Sequence, residues 1–149
     1  MYKKHSVILV LVMLILFVIS YFFSVDYVDI ASDGITVVSI ILAIYMTSFS
    51  GLVSSDLAKK MQRKEDSELT GKSQLGVLRS YLNYAVSIGT LNIITSCVSL
   101  ILASKMELVE NKGAVYYIIS ACGCATLAGN IYLMFLLFRF MVNRQLWNK

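Results

Sequence analysis

Four long runs of the sequence contain no Asp, Glu, Lys or Arg. They cover residues 6–24, 34–55, 81–104 and 114–138, which is 19, 22, 24 and 25 residues. As helices they would extend over about 28 to 37 Å, and the hydrocarbon core of a bilayer is about 30 Å thick. Strands of a membrane barrel alternate apolar and polar residues, whereas these runs are continuously apolar. The sequence therefore predicts an all-α membrane protein with four transmembrane helices.

The connections between the runs are too short for a further domain. They contain 9, 25 and 9 residues, and a short connection favours antiparallel packing of the helices that it joins. We therefore expect one four-helix transmembrane domain made of two antiparallel hairpins, joined by a link at residues 56–80. The pair Asp33-Gly34 is predicted to form the turn that opens the second helix, because glycine tolerates a positive φ.

The distribution of charge predicts the orientation of the helices. Eleven basic and four acidic residues fall on the side of the two termini and the link, and two basic and five acidic residues fall on the other side. By the positive-inside rule both termini and the link are cytoplasmic. The net charge of +4 then follows from topology, and we expect no direct contact with nucleic acid. Aromatic residues near the predicted boundaries, among them Tyr27, Tyr81 and Tyr116, are expected to be interfacial anchors.

The link is the largest polar segment and contains the first set of candidate site residues. Its beginning mixes apolar and basic residues, which predicts a helical extension of the second span. Gly71 is a predicted break and Ser73 a predicted cap of the third helix. The charged residues that could bind a partner or lipid are Lys59, Lys60, Arg63, Lys64, Glu65, Asp66 and Glu68. A basic collar that attracts anionic lipid and a docking site for a cytosolic protein both explain this pattern.

Small and polar residues recur at helical spacing and form the second set of candidates. In the second and fourth runs the rows are Ser39, Ala43, Thr47 and Gly51, and Ala121, Ala125 and Gly129. The third run adds Asn92, Ser96 and Ser99, and the fourth contains Asn130. Such residues let helices approach closely and hydrogen-bond in lipid. Packing within one bundle, contacts in a homo-oligomer and the lining of a pore all remain open.

No motif points to a reaction, a cofactor or a metal. Gly71-Lys72-Ser73 resembles the end of a phosphate-binding loop, but Asp66 stands where that loop needs its first glycine. Cys97, Cys122 and Cys124 are expected to be small packing residues, and His5 has no ligand-type neighbour in the sequence. Because the four runs contain no ionisable acid or base, proton-coupled transport is not expected, while a passive pore is not excluded.

The chain as a whole resembles a known class of membrane subunits. The similarity lies in its size and topology, in Asp33-Gly34, in the basic stretch from Lys59 to Lys64, and in hydroxyl groups at the end of the second run. The hydroxyl-bearing residues are Ser48, Ser50, Ser54 and Ser55. In these features the chain resembles the small four-helix inner-membrane subunits of anti-phage systems, especially the membrane partner of the phage-encoded Rex exclusion system and the transmembrane subunit of Kiwa defence.

The resemblance implies a function that the residues alone do not. It implies an oligomeric sensor or effector in the bacterial inner membrane, not an enzyme, that works with a cytosolic protein and alters permeability or signals infection. A phage holin-like pore former or a passive ion channel is the alternative expectation.

Overall fold

The structure is a computed structural model that describes residues 2–66, 69, 71–106 and 113–146, without the side chains of residues 57, 106 and 141–146. The described residues form five helices. They are α1 (Lys3–Phe22), α2 (Val28–Val53), α3 (Asp56–Arg63), α4 (Gln74–Met106) and α5 (Ala114–Leu146). All but α3 are long and apolar enough to cross a membrane, which confirms the prediction of four spans.

The outer surface of the helices is apolar, as expected for contact with lipid. Phe22 and Phe23 are each 78% exposed, and Phe138 is 68% exposed. Helix α1 buries only Leu9 and Ser20. In water such a surface would drive aggregation, whereas in hydrocarbon it is the favoured surface. The arrangement is that of a multi-pass membrane protein.

The order of the helices differs from the predicted pair of hairpins. Helix α1 packs on α5, α5 on α4, and α4 on α2, whereas Cα atoms of α1 and α2 nowhere approach within 8 Å. The predicted hairpin of the third and fourth runs is present as α4 and α5. The predicted hairpin of the first two runs is wrong, because α1 and α2 lie on opposite sides of the α4–α5 pair.

The loop between α1 and α2 explains this separation. The backbone N–H of Tyr27 donates a hydrogen bond to Ser120 Oγ of α5 at 2.6 Å, and that hydroxyl donates to the Val25 carbonyl at 2.8 Å. These two bonds attach the loop to α5, so that the chain reaches the far side of the central pair before α2 begins. Ser24 has a φ of 49° and occupies the left-handed conformation in this loop.

Two predicted boundaries are corrected. Helix α2 begins at Val28, so Asp33-Gly34 lies inside the helix and does not form a turn. At the other end, Ser55 is extended with a φ of −93° and a ψ of 157°. This break separates α2 from α3, which is therefore a separate helix and does not extend the second span.

The bundle has two ends, which we name by the segments that they contain. The link end contains the start of α1, the described residues from 54 to 73 (54–66, 69 and 71–73) and the end of α5, and the loop end contains residues 23–27. The core of the link half is apolar, with Leu78, Leu133 and Leu137 almost fully buried. The core of the loop half contains polar side chains instead. They are Ser20, Asn92, Ser96, Ser99, Ser120, Thr126 and Asn130.

Candidate functional site

Helix α3 has an exposed basic side and a buried apolar side. Ala58 and Met61 are buried, and Met61 belongs to the apolar cluster of the link half. Lys59, Lys60 and Arg63 are exposed, and Lys59 forms an exposed ion pair with Asp56 at 3.1 Å. Such a pair is solvated and contributes little to stability. The basic side chains are therefore available to a ligand outside the bundle.

The chain turns back after α3 and pairs with the residues before α4. The Asp66 N–H donates to the Lys72 carbonyl at 2.8 Å, and the Gln74 N–H donates to the Lys64 carbonyl at 3.1 Å. Gly71 has a φ of 84°, and Ser73 Oγ accepts the Gly76 N–H at 3.2 Å. The predicted break at Gly71 and the predicted cap at Ser73 are confirmed.

Asp66 attaches this turn to the first span. Its carboxylate is 4% exposed, lies 2.8 and 3.0 Å from the Tyr2 hydroxyl, which donates to it, and accepts the Leu69 N–H at 3.2 Å. Tyr2 also donates its backbone N–H to the Tyr81 hydroxyl at 3.3 Å, and His5 Nδ1 is hydrogen-bonded to that hydroxyl. The link, α1 and α4 are thus connected at one point.

This geometry corrects part of the predicted site. Asp66 faces the bundle, so it cannot meet a partner's basic residue as the sequence pattern suggested. Lys64 and Glu65 are exposed and remain candidates. Glu68 lies outside the described residues.

The row predicted on the second span lies on the outer surface of the bundle. Ser39, Ala43, Thr47 and Gly51 are all exposed. They belong to a longer exposed face, here called the α2 stripe. It consists of Ser32, Thr36, Ser39, Ala43, Thr47, Ser50, Gly51 and Ser54.

Three hydroxyl groups of the α2 stripe, those of Thr36, Thr47 and Ser54, donate to carbonyls of their own chain three or four residues earlier. Thr47 Oγ1 donates to the Ala43 carbonyl at 2.8 Å, and Thr36 Oγ1 to the Ser32 carbonyl at 3.1 Å. Local bonds of this type satisfy the hydroxyl in hydrocarbon without a neighbouring helix. The stripe is consequently compatible with lipid, but its small side chains also permit close approach of a second helix.

The remaining predicted packing residues lie inside the bundle. The row on the fourth span is Ala121, Ala125 and Gly129, and all three are buried. A Cβ atom at Gly129 would lie 3.0 Å from Met13 Cγ of α1. The absence of a side chain at this position thus lets α1 pack closely on α5.

The polar residues of α4 and α5 converge on Tyr27. Asn92 Nδ2 lies 3.1 Å from the Tyr27 hydroxyl, 3.0 Å from the Gly123 carbonyl and 3.0 Å from Thr126 Oγ1. The Tyr27 hydroxyl lies 2.9 Å from Ser96 Oγ. Ser99 Oγ instead donates to the Thr95 carbonyl at 2.8 Å. Asn92 and Ser96 therefore pack within one copy of the chain, which was one of the three explanations left open.

Tyr27 is the site residue that the sequence interpretation missed. It is completely buried, as Tyr81 and Tyr116 nearly are, so the prediction that these residues are interfacial anchors is wrong. A Cβ atom at Gly123 would lie 2.3 Å from Tyr27 Cδ1, and one at Gly34 would lie 2.7 Å from its hydroxyl oxygen. Two glycines far apart in sequence form the slot for the ring.

The cysteines differ in their surroundings. Cys97 is exposed, which corrects the expectation of a buried packing residue, and Cys122 and Cys124 are half-buried. Cys122 contributes, with Met13, Leu14 and Thr95, to an apolar groove of about 460 Å³ between α1 and α4. Apart from the Cys122 thiol, the Met13 thioether and two threonine hydroxyls, the described side chains that line this groove are hydrocarbon.

Comparison with protein-family models, characterised proteins and solved structures finds no match to this chain.

Proposed function

We propose that this protein is a homo-oligomeric sensor or effector subunit of the bacterial inner membrane, which couples the membrane to a cytosolic protein in anti-phage defence or exclusion. The observation that carries the proposal is the attachment of the link. A surface of exposed basic side chains lies on α3, and the turn that follows α3 is bonded to Tyr2 and so to the start of α1. A protein bound to α3 would therefore act on α1, through Tyr2, and on α4, which follows the turn.

A lipid collar explains the basic charge but not the attachment. Attraction to anionic lipid requires positive charge near the membrane surface and no defined structure. Here α3 is held by Met61 in the apolar cluster, and Asp66 is held by Tyr2. A folded, oriented surface favours recognition of a protein partner, because oriented charges determine which partner binds.

The orientation of the protein is part of the proposal. The charge bias supports a cytoplasmic location for the link end, where a cytosolic partner could reach α3. The α2 stripe supports a homo-oligomer, because it is an exposed row of small residues on a spanning helix.

A paired charge reversal tests the function. In cells that carry the gene with its neighbouring genes, we expect phage plating to be reduced, and Lys60→Glu with Arg63→Glu to abolish that protection while the protein stays in the membrane. Lys3→Glu with Lys4→Glu is the matched control, because these residues are also exposed and lie at the same end. An equal loss of protection in both variants would favour a lipid collar. No protection by the unaltered protein would reject the defence function.

A channel formed between copies is the second candidate. The hydroxyl groups of the α2 stripe are exposed, and Asp29 and Asp33 are exposed at its loop end. Rings of hydroxyls and carboxylates favour cations over anions in a pore. Cation currents from the purified protein in planar bilayers would support this function, provided that Asp29→Asn with Asp33→Asn lowers the preference for cations over anions. An absence of current would reject it.

A further inference from the structure

Three polar side chains at the middle of the bundle have atoms without a hydrogen-bond partner in the described part of the chain. They are Asn92 Oδ1, both polar side-chain atoms of Asn130, and the Tyr45 hydroxyl. Asn92 and Asn130 are completely buried, and Tyr45 is 3% exposed. Neither lipid nor a second copy can therefore reach the two amides. Buried amides without partners are costly, so native structures normally satisfy them.

The two amides lie close together between α4 and α5. Thr126, which hydrogen-bonds Asn92, precedes Asn130 by one helical turn. Gly89 precedes Asn92 by three residues, and a Cβ atom at Gly89 would lie only 3.2 Å from Asn130 Nδ2. Tyr45 of α2 instead belongs to the apolar cluster of the link half.

We propose that Asn92 and Asn130 form an internal water-binding site in the membrane-spanning bundle. Water fits the chemistry of the site because it both donates and accepts hydrogen bonds. A water molecule there would accept from Asn130 Nδ2 and donate to an amide oxygen of Asn130 or Asn92. A metal ion fits less well, since both amides lie in runs of the sequence (81–104 and 114–138) that contain no charged residue and Asn130 presents a donor as well as an acceptor.

The two halves of the core indicate how water reaches the site. Toward the link end the amides are followed by the apolar cluster, which includes Leu82, Leu133 and Leu137. Toward the loop end they are followed by Thr126, Ser96 and the Tyr27 ring. The polar half therefore favours a route for water from the loop end, and the apolar half opposes one from the link end.

Silver-ion accessibility of single cysteines tests the site. In a variant with alanine at positions 97, 122 and 124, Asn130→Cys is compared with Leu133→Cys, a buried position one turn farther toward the link end. Cells are treated with silver nitrate, and the remaining thiol is labelled with maleimide after denaturation. We expect silver to block Asn130→Cys about tenfold faster than Leu133→Cys. Equal rates at the two positions would overturn the proposal.

A measurement on the unaltered protein covers the case in which the variants fail to fold. In lipid bilayers, solid-state NMR can follow magnetisation transfer from water protons to individual ¹⁵N groups. We expect the Asn130 side-chain amide to receive magnetisation as the exposed Gly71 backbone amide does, while the Leu133 backbone amide stays without signal. An Asn130 side chain that behaves like Leu133 would reject the water site.

Discussion

At the scale of the residue, Tyr27 has the largest influence on the fold. Its ring fills a slot between Gly34 and Gly123, and its hydroxyl and backbone N–H bond to α4 and α5. These contacts attach the loop to the α4–α5 pair and so separate α1 from α2. One side chain in a loop of five residues thus influences the order in which all four spans pack.

Removal of the Tyr27 ring should cost more stability than removal of its hydroxyl. We expect Tyr27→Ala to lower the free energy of unfolding by about 3 to 5 kcal/mol, because it leaves a cavity, and Tyr27→Phe by about 1 kcal/mol. Denaturant titration in mixed micelles measures both. Tyr21→Ala is the control, since Tyr21 is 40% exposed, and a loss for Tyr21 equal to that for Tyr27 would contradict this role.

A methyl group at Gly123 should disturb the same slot. The added Cβ would lie 2.3 Å from the Tyr27 ring, so we expect Gly123→Ala to destabilise by about 1 to 3 kcal/mol. Gly51→Ala meets no atom within 4 Å and should stabilise by about 0.5 to 1 kcal/mol, since alanine favours a helix. Thermal unfolding in detergent compares the two variants. The same sign of change in both would argue against the slot.

At the scale of the element, the Asp66 carboxylate adds side-chain hydrogen bonds to the backbone bonds of the turn between α3 and α4. Asp66 accepts hydrogen bonds from Tyr2 and Leu69, and its loss would leave these donors without a charged acceptor. We expect Asp66→Ala to destabilise the turn by about 1.5 to 3 kcal/mol and to speed trypsin cleavage in the link. Glu65→Ala is the neighbouring exposed control. Equal cleavage of both variants and the unaltered protein would show that Asp66 does not hold the turn.

The α2 stripe makes a prediction about assembly. Leucine at both Ala43 and Gly51 should obstruct close approach of a second helix and weaken association by about 1 to 3 kcal/mol. Mass determination in mild detergent measures the effect. Val37→Leu with Val53→Leu is the control, because both residues are exposed and lie beside the stripe, not on it. If the Ala43 and Gly51 variant keeps the mass of the unaltered protein, the stripe is not the contact.

At the scale of the whole molecule, the sequence predicts the spans well and their arrangement poorly. The spans follow from local composition, and the cap at Ser73 and the break at Gly71 follow from local turn chemistry. The separation of α1 from α2 depends on the slot between Gly34 and Gly123, which no local pattern reveals. The burial of Asp66 likewise depends on Tyr2, which is distant in sequence, so the pattern of charge alone suggested an exposed acid.

A cytosolic partner can bind α3 only if α3 lies on the cytoplasmic side of the membrane. In a variant with alanine at positions 97, 122 and 124, Lys60→Cys and Asp33→Cys place one thiol at the link end and one at the loop end, and both positions are exposed. Labelling with a membrane-impermeant maleimide in intact and in lysed cells measures their location. We expect Asp33→Cys to be labelled in intact cells and Lys60→Cys only after lysis. Labelling of Lys60→Cys in intact cells would contradict a cytosolic partner at α3.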